Sequence, residues 1–105
     1  MATAVGAYEL EIITGPSKEE SERARLNLFS ELGRRDRLGR IYFYGPQVTL
    51  KNDFVDRGDN PVLHLHTEML SSVLDLLHSE KPLFVEITEQ HRGRLTTTTE
   101  DDIIF

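Results

Sequence analysis

Hydrophobic and polar residues alternate in several short segments of the chain. Near the N-terminus, Tyr8, Leu10 and Ile12 are separated by Glu9 and Glu11. A period of two is typical of a strand with one face in water. The same alternation recurs downstream, and it predicts further strands over 38–44, 48–50 (with an end left open as far as 55), 61–66, 83–88 and 94–99.

Two other segments have the 3.6-residue spacing of a helix. In 18–32 an apolar stripe follows a capping box made by Ser17 and Glu20. A second stripe begins after Thr67, a residue that can cap a helix. It ends before Lys81-Pro82, where proline stops a helix. The pattern therefore predicts two helices.

The predicted elements follow one another as β-α-β-β-α-β, with a short extended piece at 61–66 and one more strand at the end. This is the split βαβ order. We therefore expect a ferredoxin-like α+β fold: an antiparallel sheet of four to five strands, two helices on one face, and an extra C-terminal strand. The opposite sheet face is expected to carry Tyr42, Tyr44, His64, His66 and Phe84.

Composition agrees with one small domain over residues 1–105, with 1–6 and 100–105 as flexible or partner-contacting tails. The net charge is −6, from twelve Lys and Arg against eighteen Asp and Glu. The absence of Cys excludes disulfides, zinc–thiolate sites and thiol catalysis. Neither a membrane span nor a signal peptide is evident, so we expect a cytoplasmic protein without a membrane partner.

Arg40, Tyr42 and Tyr44 alternate along one predicted strand and therefore share a face. Tyr and Arg are enriched in protein interfaces, so this face is a candidate surface for a protein partner or a second copy. The same residue types can stack single-stranded bases, and the segment Arg34–Tyr44 has four arginines. The net negative charge opposes a phosphate backbone, so nucleic acid ranks after protein as a partner.

His64 and His66 alternate on another predicted strand, so both imidazoles can meet one ion. The loop before them contains Asp53, Asp56 and Asp59, whose carboxylates suit zinc or manganese. This predicts a metal or small-ligand site as an alternative function. The competing interpretation is a polar strand face, since both histidines alternate with apolar residues. No other cofactor is predicted.

The C-terminal residues Ile103, Ile104 and Phe105 follow three acidic residues. An apolar terminus can add to the sheet edge of a partner. It can also fold back onto an exposed patch of its own domain or of a second copy. Phe105 is therefore included among the candidate binding residues.

No set of catalytic residues converges in the sequence. Ser71, Asp75 and His78 share a helix face, but the imidazole of a triad must lie between the carboxylate and the hydroxyl. We therefore expect a small non-enzymatic binding or assembly module that forms a homodimer through the aromatic sheet face or the threonine-rich edge strand. The alternatives are the metal or small-ligand site and a weak single-stranded nucleic-acid binder.

Overall fold

The computed structural model describes residues 3–14, 22–30, 37–58, 60–79, 83–87 and 92–96. Most of these residues lie in strands. The strands are β1 (Thr3–Val5), β2 (Ala7–Ile12), β3 (Glu22–Phe29), β4 (Arg37–Tyr44), β5 (Phe54–Val55), β6 (Pro61–His66), β7 (Leu83–Ile87) and β8 (Gly93–Thr96). A 3₁₀ turn (Thr67–Met69) leads into the α-helix of the described chain, α1 (Leu70–Ser79).

The strands form two sheets. One has five strands in the order β2-β3-β4-β6-β5, and the other has three in the order β1-β7-β8. Neighbouring described strands are antiparallel except for β4 and β6, which are parallel. The chain passes from the small sheet to the large one at Gly6, whose N–H donates to the carbonyl of Phe29 at 2.9 Å.

The core lies where one face of the five-stranded sheet meets α1 and β7. Strands β3, β4 and β6 contribute alternate side chains to it, as a period of two requires. Each such buried aliphatic or aromatic side chain contributes about 1.5–3 kcal/mol. The buried cluster consists of Ala24, Leu26, Leu28, Ile41, Phe43, Leu63, Val73, Leu77, Leu83 and Val85.

The prediction of a helix over 18–32 is wrong, because its described part is strand β3; both ends of that segment lie outside the described residues. The sequence there fits two periods: Ala24 and Leu28 are four apart, while Leu26 lies midway between them. Glu, Arg and Leu favour a helix locally. Pairing with β2 on one side and β4 on the other overrides this preference and buries Leu26 and Leu28 completely.

The ferredoxin-like expectation is also wrong. The described residues contain two sheets and one α-helix, and β6 enters beside β4 in parallel. A parallel pair needs a crossover, and residues 45–60 provide it. Phe84 lies on β7 in the small sheet, opposite Ala4, and so does not share a sheet with Tyr42.

Local patterns located most of the remaining elements. The strands predicted at the positions of β2, β4, β6, β7 and β8 are confirmed. The second helix is confirmed as α1, although His66 is the N-cap of the preceding 3₁₀ turn and Thr67 lies inside that turn. The strand predicted from Val48 is wrong, since only Phe54–Val55 is extended there as β5. Strand β1 lies in the segment expected to be a tail. No described helix has the length and apolarity needed to cross a membrane.

Candidate functional site

The five-stranded sheet has a polar and aromatic face opposite the core. Side chains alternate along each strand, so residues next to the core positions point to this side. One row runs in register across four strands, from Glu11 through Arg25 and Tyr42 to His64. The outer face is defined here as Glu9, Glu11, Arg25, Asn27, Arg40, Tyr42, Tyr44, His64 and His66.

Hydrogen bonds connect the side chains of three strands on the outer face. Asn27 is buried at the centre; its Nδ2 donates to Glu11 Oε1 at 3.2 Å, and its Oδ1 accepts from Arg40 Nε at 2.7 Å. Arg40 Nη1 donates to the Tyr42 hydroxyl at 2.9 Å. A buried amide needs such partners, and here they hold the Arg40 guanidinium beside the Tyr42 ring.

Two cations approach the ring of Tyr42. The Cζ atoms of Arg25 and Arg40 each lie 5.7 Å from its centroid, within cation–π distance. Arg25 also donates to Glu22 and lies 3.8 Å from Glu11 Oε2. Burial lowers the pKa of Arg25, but the hydrogen bond and charge of Glu22 and the charge of Glu11 outweigh it, so the pKa is raised. The guanidinium therefore remains charged.

His64 lies in a cage of three aromatic rings. Its ring is stacked with Tyr42 at 5.9 Å and with Tyr44 at 6.0 Å, and it is tilted against Phe54 at 5.8 Å. The side chain is only 3% exposed. Its Nδ1 lies 3.3 Å from Asp53 Oδ1. His64 is therefore a packed side chain whose ring has Asp53 as its polar partner.

The carboxylate of Asp53 joins the two sheets. Its Oδ1 accepts the backbone N–H of His64 at 2.8 Å, beyond the two residues of β6 that pair with β5. Its Oδ2 accepts the backbone N–H of Gly93 at 2.5 Å, at the start of β8. A carboxylate that accepts backbone donors from two strands acts as a structural bridge.

The predicted metal ligands have separate roles in the structure. His66 Nε2 donates to the carbonyl of Val48 at 2.8 Å, while the Nδ1 of His64 faces Asp53. Asp56 accepts the backbone N–H groups of the turn that follows it and pairs with Arg37 at 3.3 Å. Asp59 lies outside the described residues. Within the described ranges, no group of three or more His, Asp and Glu side chains could hold a metal ion.

Arg40, Tyr42 and Tyr44 share the outer face, as their alternation indicates. The remaining candidate binding residue, Phe105, lies outside the described residues, as do the first arginines of the segment Arg34–Tyr44. The described arginines of this segment already have acceptors. Arg37 has Asp56, and Arg40 has Asn27 and the Tyr42 hydroxyl. These internal contacts hold both guanidinium groups in place, and the net charge of −6 opposes a phosphate backbone.

Sequence reasoning missed a second polar pair, on the opposite side of β2. The Tyr8 hydroxyl lies 2.6 Å from His78 Nε2, although the two residues are 70 positions apart. Tyr8 alternates with acids as an ordinary strand residue, and His78 is on the exposed side of a helix. No local pattern links them, since their contact depends on how α1 packs against the sheet.

A further consequence of burial concerns Tyr44, which is 8% exposed. Burial raises the pKa of its hydroxyl, and the negative charges of Glu22 and ionised Tyr42 raise it further. The folded state therefore holds this proton at a pH where an unfolded tyrosine, with a pKa of about 10, has lost it. Stability from this group is complete below about pH 10 and is lost as pH rises through the folded pKa.

We therefore expect the urea midpoint of the protein to fall more steeply above pH 10 than that of Tyr44→Phe. Urea unfolding followed by circular dichroism at intervals between pH 8 and 11 measures this. The difference between the urea midpoints of the two proteins at pH 8 gives the contribution of the hydroxyl group itself to stability. Parallel curves above pH 10 would contradict the prediction.

Comparison with known proteins identifies no relative from which a function can be transferred. No protein-family model matches the chain, no curated protein matches its sequence, and no solved structure matches its fold. The geometry of the described residues is therefore the basis for the function proposed below.

Proposed function

We propose that this protein is a non-enzymatic assembly module that forms a homodimer through the outer face. The supporting observation is the arrangement around Tyr42, a half-buried ring with the guanidinium groups of Arg25 and Arg40 at 5.7 Å. Tyr and Arg are among the residues most enriched in interface hot spots. Side chains already held in place lose less conformational entropy when a partner binds, and the hydrogen bonds through Asn27 hold Arg40 in this way.

Charge on the outer face favours a second copy as the partner. Strand β2 presents Glu9 and Glu11, whereas the next two strands present Arg25 and Arg40. A two-fold interface brings the same patch of both copies together. A two-fold axis between β2 and its two basic neighbours places Glu9 and Glu11 of one protomer opposite the arginines of its partner. The face is thus self-complementary, which a net charge of −6 does not reveal.

We expect light scattering coupled to size exclusion to give a mass near twice 12.0 kDa. Tyr42→Ala removes the central ring and should give the monomer mass. Met69→Ala is the matched control, because Met69 is 44% exposed on the 3₁₀ turn and is not one of the residues of the outer face. Circular dichroism of both variants establishes that they are folded.

A monomeric wild type at high micromolar concentration would refute the homodimer. A dimer that persists in folded Tyr42→Ala would place the interface elsewhere and refute the role of the outer face. Adding a chelator should leave the mass unchanged. A mass that depends on chelator would instead support a metal site at His64 and His66.

A further inference from the structure

A cleft opens where the two sheets meet the end of α1. It has a volume of about 330 Å³, and its apolar walls include Val5, Ala7, Leu77 and Leu83. These residues come from β1, β2, α1 and β7, so the cleft lies at the junction of both layers. Its size is at the lower end of the range for small-molecule sites.

The polar groups of the cleft are Tyr8 and His78, which line it together. Their ring centroids are 5.6 Å apart and the rings are perpendicular, with 2.6 Å between the hydroxyl and Nε2. If the hydroxyl donates, the imidazole keeps an N–H at Nδ1. If Nε2 donates, the hydroxyl keeps its proton. In either tautomer the pair retains one donor and at least one acceptor for a ligand.

Charge near the cleft disfavours an anionic ligand. Leu77 and His78 belong to the last turn of α1, where carbonyl groups lack helical donors and carry the negative end of the helix dipole. Asp75 is three residues before His78 on the same helix. A neutral ligand meets no such repulsion, and one hydroxyl or N–H group is enough to satisfy the Tyr8–His78 pair.

We propose that this cleft binds a small, flat, neutral molecule of the phenol or indole class. The apolar residues of the cleft would contact one side of its ring, and ring contacts with Tyr8 and His78 would be stacked or edge-to-face. The site is independent of the proposed homodimer, because Tyr8 packs toward the core side of β2 whereas Glu9 and Glu11 belong to the outer face.

The test is a titration of ¹⁵N-labelled protein with phenol and with indole, followed by amide chemical shifts. We expect saturable shifts at Gly6, Tyr8 and His78, and weaker binding of benzoate, which is anionic. Tyr8→Phe should weaken binding roughly two- to tenfold, the equivalent of one hydrogen bond. Tyr42→Phe removes a hydroxyl from the outer face and is the matched control, with unchanged binding expected.

Val5→Phe enlarges a side chain that lines the cleft, leaves the polar pair unaltered and should abolish binding. If that variant does not fold, Tyr8→Phe and its control still decide the question. The proposal is overturned if phenol and indole cause no shifts at millimolar concentration, if the shifts fall on the outer face, or if both tyrosine variants bind equally well. None of these results depends on whether the protein dimerises.

Discussion

Replacing Gly93 with alanine is expected to lower the free energy of unfolding by about 3 kcal/mol, at the upper end of what an overpacked site usually costs. A Cβ at this position would overlap Leu63 Cγ and would lie 2.9 Å from Asp53 Oδ2. Leu63 is 3% exposed and belongs to the core, so it has little room to move. The contact between β8 and the large sheet must therefore loosen.

Urea unfolding measures this effect, and Gly45→Ala provides the control. A Cβ at Gly45 would have no neighbour within 4 Å, so that variant should keep its stability or gain slightly from a stiffer unfolded chain. In the background of Leu63→Ala, the Gly93→Ala change should be milder, because the clashing side chain is gone. Equal stability losses for the Gly45 and Gly93 variants would contradict the close approach of the two sheets.

Asp53→Ala is expected to cost about 3 kcal/mol, because it leaves the backbone N–H groups of His64 and Gly93 without their acceptor, at about 1–3 kcal/mol each. The bridge between β6 and β8 is lost with them. Amide hydrogen exchange should therefore accelerate at His64 and Gly93 in addition to the fall in the urea midpoint.

Asp53→Asn removes the negative charge but keeps one acceptor oxygen. The amide oxygen can replace one carboxylate oxygen, but the NH₂ group then faces a second donor, so we expect about half the loss seen with alanine. Asp75→Ala removes an exposed carboxylate from α1 and should be nearly neutral. Unchanged exchange at Gly93 in Asp53→Ala would show that this carboxylate does not hold the sheets together.

The proposed interface and these structural contacts are centred on different parts of the five-stranded sheet. The homodimer depends on side chains of the outer face, where Tyr42 and its two arginines are half-buried. The bridge from Asp53 to Gly93 lies at the far edge of the same sheet, beyond β6. Variants at Gly93 should therefore change stability without directly removing interface residues, and Tyr42→Ala should change assembly more than stability.

Local alternation was sufficient to locate most strands and to assign their faces. Ile41 and Phe43 are buried, while Arg40 and Tyr42 lie on the other side. Successive side chains of a strand point in opposite directions whatever its neighbours are. For the same reason, the shared face of Tyr42 and Tyr44 could be predicted before any pairing was known.

Two segments show where the local pattern was insufficient. Glu22–Phe29 satisfies both a helical and a strand period, and only pairing with strands on both sides decided in favour of the strand. Consequently Arg25 and Asn27, which organise the outer face, were not among the predicted site residues. Val48 and Leu50 alternate with polar residues, yet that stretch remains irregular, and the carbonyl of Val48 is bonded to His66.

By itself the sequence determined most strands and their faces, the one described helix, and the exclusion of cysteine chemistry. The tertiary structure alone decided the division into two sheets, the parallel β4–β6 pair, the Asp53 bridge and the Tyr8–His78 cleft. The physical reason is that periodicity records which side of an element is apolar. Contacts such as Asp53 with Gly93, or Tyr8 with His78, join residues tens of positions apart, and they arise only when the layers pack.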